Sequence, residues 1–235
     1  MRQIPSSPVF TAIDKNDLTL AKKVAGSIEG LTGGIKLGKE FFTAHGPAGV
    51  LDVVGSRTPL FLDLKFHDIP NTVAGAVRAA TQAMSPNMMT IHASGGPAMI
   101  RAASDAAAEF GASAPWILAV TVLTSMDQAD LTATGVDASP EDQVLRLAAL
   151  AQENGATGVI CSPLEIAALR RECGPDFKLV VPGIRPVGAD HGDQKRVKTP
   201  DEALKDGADY LVIGRPITQA SDPAQAVRDI NESLA

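Results

Sequence analysis

At 235 residues, 45% hydrophobic and 20% charged, the chain has the make-up of an ordinary soluble globular protein, long enough for one large domain. A formal net charge of −6 with no basic run excludes nucleic acid and anionic membrane as partners, while a locally positive pocket can still take a small anion. Cys161 and Cys173 make no disulfide framework, "MRQIPSSPVFTAID" lacks the apolar core of a signal peptide, and no apolar run reaches membrane-spanning length, so a cytoplasmic protein is expected.

Short apolar runs alternate with helix-period segments from end to end. The predicted strands are "VFTAID" (9–14), "GGIKLG" (33–38), "LFLDLKF" (60–66) and "MMTIHAS" (88–94), followed by "WILAVTVLT" (116–124), "GVICS" (158–162), "KLVVPGI" (178–184) and "YLVIGRP" (210–216). The segments between them are rich in Ala, Leu, Glu and Lys. In "SPEDQVLRLAALAQENG" (139–155), Ser139 suits an N-cap, Pro140 and Glu141 suit the first turn, and Gly155 stops the helix. "TPDEALKDG" (199–207) repeats that grammar.

Eight strands each followed by a helix, with no linker, give the count of a single-domain (β/α)₈ TIM barrel over residues 1–235. The alternative is a doubly wound open sheet, but no G-x-G-x-x-G follows the first strand. Barrel active sites form at the C-terminal strand ends. Those ends carry Asp14, Lys36, Asp63 with Lys65, His92, Thr124, Ser162, Arg185 and Arg215, and the opposite ends are expected to carry no comparable set.

The stretch "FLDLKFHDIPNT" (61–72) sets Phe61, Asp63, Lys65 and His67 on one face of a strand and Leu62, Leu64 and Phe66 on the other. Opposite charges thus stand two residues apart, roughly 6.5 Å along the strand. Two readings of Asp63–Lys65–Asp68 are open. One is a structural ion pair at the barrel rim, a weak source of stability because burying charge is costly. The other is a lysine held protonated by flanking carboxylates and ready to donate a proton, with Lys36 and Asp14 extending the array.

The long loop "PGIRPVGADHGDQKR" (182–196) and the segment "IGRP" (213–216) follow the last two strands, where barrels often hold phosphate. Gly214 would admit the oxyanions and Arg215 would grip them, against the plainer reading of glycine turns with surface arginines. The length of the 182–196 loop suits a lid. His45, His67, His92 and His191 show no metal-ligand spacing; His92 reads as a barrel-interior histidine and Cys161 as a small apolar filler.

Together "DLKFHDIPNT", "HASGG", "AVTVLTSM", "PGIRP" with "GDQ", and "VIGRPIT" resemble the orotidine 5′-phosphate decarboxylase family, in its bacterial branch, from Asp14 to Arg215. The resemblance implies decarboxylation of orotidine 5′-phosphate to uridine 5′-phosphate in pyrimidine biosynthesis, without metal or organic cofactor. It implies Lys65 as proton donor to C6, Asp63 beside the scissile carboxylate, and Lys36 in the same charge network, contacting the ribose with Asp14. It further implies a homodimer in which Asp68 and Thr72 reach into the partner's site, with Ile69 another substrate-binding position. Thr124 would contact the pyrimidine, and Arg185, Gln194, Gly214 and Arg215 the phosphate region. Two rivals are a metal-dependent sugar-phosphate lyase on the same barrel, where the D-x-K-x-x-D carboxylates would serve Mg²⁺, and a non-catalytic phospholigand-binding barrel.

Overall fold

A computed structural model describes residues 7–186 and 197–234. Eight parallel strands, β1 (Val9–Ile13), β2 (Gly34–Gly38), β3 (Leu60–Phe66), β4 (Met88–His92), β5 (Trp116–Val120), β6 (Gly158–Ile160), β7 (Lys178–Val181) and β8 (Tyr210–Ile213), close in sequence order, with β8 pairing β1. Around them run α1 (Leu18–Ser27), α2 (Lys39–Val54), α3 (Pro70–Met84), α4 (Pro97–Ala108) and α5 (Gln128–Ala133). The ring is completed by α6 (Pro140–Glu153), α7 (Ile166–Cys173), α8 (Pro200–Lys205), α9 (Arg215–Thr218) and α10 (Pro223–Glu232). This is a (β/α)₈ TIM barrel. The expected one-to-one alternation is exceeded twice, since β5 and β8 are each followed by two helices.

The helix ends follow local chemistry. Ser139 accepts the Asp142 N–H at the start of α6, and Gly155 beyond its end has φ +85°. Thr199 and Glu202 form a reciprocal capping box on α8.

The period of two along each strand divides the core into two layers. Phe10, Phe61, Met88, Leu118, Val180 and Tyr210 pack inside the barrel, while residues such as Val9, Leu62, Met89 and Leu211 pack outward under the helices. Inside, Phe10 meets Phe61 and Tyr210 edge-on at 6.0 and 5.7 Å between ring centroids. Gly34 makes room for this plug, because a Cβ there would lie 2.3 Å from the Phe10 ring. Two residues further along the same faces stand Lys36, after Gly34, and Asp63, after Phe61. The aromatic layer is therefore the floor of the charged layer above it.

Several strands stop short of their predicted ends. β5 ends at Val120, so Thr124 lies in the following loop, and β7 ends at Val181, with Ile184 in an isolated bridge to Lys198. Gly214 and Arg215 sit past β8, Arg215 opening α9. Polar residues wanted near a ligand leave the ladder early, which apolar run length does not reveal.

The N-terminal strand ends carry a charged cluster. Asp209 binds Arg170 at 2.6 Å and Lys178 at 3.2 Å. Arg170 also donates to the carbonyls of Gly174, Phe177 and Gly207. That cluster spends its donors on backbone oxygens and ties α7 to β7 and β8, as suits the stability face of a barrel.

Candidate active site

β3 does not run as a plain strand to its end. It pairs with β4 as Phe61↔Met88 and Leu62↔Met89, then resumes at Phe66↔Ile91, so four residues of β3 advance against two of β4. Within this bulge Lys65 has φ +53°, a left-handed conformation rare for a side-chain-bearing residue and worth about 1–3 kcal/mol of strain. The simple alternation expected through His67 thus fails. Lys65 reaches the cavity through the bulge, and His67 is exposed beyond the strand.

The bulge delivers the Lys65 ammonium to Asp63, with Nζ 2.7 Å from Oδ1 and 2.8 Å from Oδ2. Lys36 Nζ lies 3.4 Å from Asp63 Oδ2 and donates to Asp14 Oδ1 at 2.9 Å. The result is an alternating row, Asp14–Lys36–Asp63–Lys65, across the ends of β1, β2 and β3. Gly38 and Gly214 lie beside it at van der Waals distance. A Cβ at Gly38 would come 3.4 Å from Lys36 Nζ, and one at Gly214 3.7 Å from Asp14 Oδ2.

Burial and pairing pull against each other in this row. Burial alone would lower the Lys36 pKa, but Asp63 and Asp14 outweigh it and hold it above its ordinary value. Burial alone would raise Asp63, but Lys36 and Lys65 outweigh it and hold the carboxyl below its ordinary range, with help from a Thr90 hydrogen bond. Both groups therefore stay ionised from roughly pH 5 to 9. His92 behaves oppositely. Burial, first, and the neighbouring basic side chains His67, Lys39 and Lys65 push it down to about 4, so it is neutral at physiological pH.

Thr90, which the sequence reading did not select, is wholly buried on β4. Its Oγ1 accepts the Lys65 N–H and donates to Asp63 Oδ1, both at 2.9 Å. One signal for it was available: within "MMTIH" it is a polar residue on the inward face shared by Met88 and His92.

The row opens onto a cavity of about 460 Å³. Asp14, Lys36, Asp63, Lys65, Thr124, Arg185, Gly214 and Arg215 all line it, so the structure brings together eight of the residues selected from the sequence. An apolar wall of Val120, Ile160 and Val212 completes it, with Cys161 buried behind. With Lys15 and Glu40 counted, five basic side chains face three carboxylates among the described residues. An acidic protein thus carries a cationic pocket. Asp68, Ile69 and Thr72 stand apart from it: they are exposed on the rim, and Asp68 accepts the Ile69 N–H at 2.6 Å. Gln194 and most of the expected lid loop lie outside the described residues.

The row does not suit a divalent metal. Both Asp63 oxygens are engaged by lysine, and two ammonium groups would repel any added cation.

Residues 7–230 match the family described as "Orotidine 5'-phosphate decarboxylase / HUMPS family". The chain belongs to that family. Proteins named orotidine 5′-phosphate decarboxylase from Paramagnetospirillum magneticum and Rhodospirillum rubrum are 55% and 53% identical to it. Each alignment covers 97% of this chain, with 98% and 94% of those proteins respectively. The crystal structure of orotidine 5′-phosphate decarboxylase from Lactobacillus acidophilus superposes with a TM-score of 0.86 at 36% identity, covering 97% of this chain and 99% of that one. Among the described residues no helix is long and apolar enough to cross a membrane.

Breaking the row should be costly in a pH-dependent way. Asp63→Asn is expected to lose roughly 3 kcal/mol at pH 7 by urea denaturation, since two lysines would lose their shared counter-ion. Asp63 has a depressed folded pKa, so its contribution is complete above the unfolded value of 3.8 and is lost as pH falls through the lower folded value. The gap between variant and wild type should therefore hold from roughly pH 5 to 9 and shrink below 3.8. Equal stability at pH 7 would contradict the ion-pair assignment.

Proposed function

We propose that this chain decarboxylates orotidine 5′-phosphate to uridine 5′-phosphate, the closing step of pyrimidine nucleotide synthesis, with Lys65 as the proton donor. The observation that carries the reading is the row Asp14–Lys36–Asp63–Lys65, which ends on a lysine fixed by two hydrogen bonds at the wall of a cationic cavity. The names of relatives at about half identity support the same reaction.

The chemistry explains the row. Cleavage of the C6–carboxylate bond leaves its electron pair in the ring plane, where no π-system accepts it. A preorganised ammonium stabilises that charge, and its proton then forms the C6–H bond as carbon dioxide leaves. The neutral amine regains a proton from water. Lys36 and Asp14 hold the ribose, Thr124 the pyrimidine, and Arg185 and Arg215 the phosphate, with Gly214 giving it close approach. Enzymes at the upper limit lower barriers by roughly 20 kcal/mol, beyond one lysine, so the bound phosphate must contribute to assembling the site. Two buried free thiols, Cys161 and Cys173, suit a reducing cytosol.

Loss of orotidine 5′-phosphate absorbance is the direct assay. Turnover should persist in excess chelator, whereas the metal-dependent lyase reading requires it to vanish. Lys65→Ala should lose more than about 10³-fold in kcat while keeping most product affinity. A variant retaining a tenth of wild-type activity would overturn the proton-donor role, and a wild type with no turnover would favour a binding protein.

The same reading makes the working unit a homodimer. Asp68, Ile69 and Thr72 lie on an exposed rim outside their own cavity, Ile69 being 66% exposed, and we assign them to the neighbouring subunit's site. Asp68 of one chain would then extend the partner's row past Lys65. Lys65→Ala and Asp68→Ala homodimers should each be nearly inactive. Mixed and allowed to exchange, they should recover about one quarter of wild-type activity, because half the dimers are hybrids with one intact site. No recovery despite demonstrated exchange would sink the shared site.

A further inference from the structure

We propose that Thr90 is a positioning residue for the reaction: its hydroxyl ties the backbone of Lys65 to the carboxylate of Asp63, and so sets where the Lys65 ammonium stands. The inference rests on the reading of Lys65 as proton donor.

The starting point is the bulge. Between Leu62↔Met89 and Phe66↔Ile91 the β3–β4 ladder is interrupted, and the Lys65 N–H there meets the Thr90 side chain. Thr90 itself stays in register on its other side, opposite Leu118 of β5. It is a fixed point on an intact strand beside a deformed one.

The direction of the hydrogen bonds is forced. The Lys65 amide can only donate, and an ionised Asp63 can only accept. A hydroxyl between them must give its one proton to Asp63 Oδ1 and turn a lone pair to the amide, both at 2.9 Å. Asp63 Oδ1 in turn accepts from Lys65 Nζ at 2.7 Å. The two ends of Lys65, amide and ammonium, are thereby closed into one ring through Thr90 and Asp63. The β-branched side chain adds stiffness, having few accessible χ1 rotamers, and the site is wholly buried, so no water competes at Oγ1.

A left-handed lysine persists only where its surroundings over-determine it. The backbone half of that constraint is the Thr90 bond, and the side-chain half is the Asp63 salt bridge. Without the hydroxyl, Lys65 keeps its charge partner but loses the anchor that sets its Cα. A shift of about 1 Å in a catalytic group can cost about 100-fold in rate.

The test compares Thr90→Val, which keeps the shape and removes the hydroxyl, with Thr90→Ser, which keeps the hydroxyl. Thr90→Val should lose about 100-fold in kcat with KM changed by less than about threefold, and Thr90→Ser should stay within about fivefold of wild type. The acid limb of kcat should move to higher pH in Thr90→Val alone, because Asp63 loses a donor that favours its ionised form. A packing defect would not move that limb. Amide hydrogen exchange at Lys65 should be faster in Thr90→Val and near wild type in Thr90→Ser. This readout needs no turnover, so failure of the decarboxylase reading and failure of the Thr90 role can be told apart. If Thr90→Val does not fold, Thr90→Ala is judged against Thr90→Ser by the same measures. A valine variant with kcat within threefold of wild type, a serine variant as impaired as valine, or an unmoved acid limb would each overturn the proposal.

Discussion

One carboxylate organises this molecule. Asp63 lies buried between two lysines, within 2.8 Å of Lys65 through both oxygens and 3.4 Å from Lys36. Taking such charges out of water costs several kcal/mol per ion, and an apolar trio of the same volume would often be at least as stable. Stability therefore does not account for the arrangement. The surrounding fold frames it: Phe10, Phe61 and Tyr210 form an aromatic layer beneath, Gly38 and Gly214 bring no side chain beside it, and Thr90 bonds both the Lys65 amide and Asp63.

The electrostatics extend beyond that row. The chain is acidic as a whole, yet basic side chains outnumber carboxylates in the cavity. The cations come from four different strand ends, Lys36 and Lys65 from β2 and β3 and Arg185 and Arg215 from the segments after β7 and β8, and all four line the cavity. Orotidine 5′-phosphate is anionic at both its carboxylate and its phosphate, in keeping with a pocket in which basic groups predominate. The family to which the chain belongs carries the same substrate in its name.

Much of this was legible in the sequence because barrels follow simple periods. Strand alternation places Lys36 above Gly34 and Asp63 above Phe61, and Ser139 and Thr199 mark their helices through capping chemistry that depends only on near neighbours. The parts that were not legible depend on contacts distant in sequence. The bulge at Lys65 exists only against β4, and nothing in "LFLDLKF" announces it. Thr90 reads as one polar residue in a strand until its two partners, 25 and 27 residues away, are in place. Asp209 is an unremarkable acid in sequence, and Arg170, Lys178 and three backbone carbonyls reveal its setting only once the barrel closes. The short reach of β5 has the same origin: Thr124 leaves the ladder and lines the cavity from the following loop.

The Asp63-bound ammonium of Lys65 is proposed to face the reacting carbon. A crystal structure of the protein with uridine 5′-phosphate tests this placement most directly. Lys65 Nζ is expected within about 3.5 Å of pyrimidine C6, the distance of a group poised to react, with the phosphate between Arg185 and Arg215. A complex with Nζ more than about 5 Å from C6, or with the phosphate seated on the lysine row, would contradict the account.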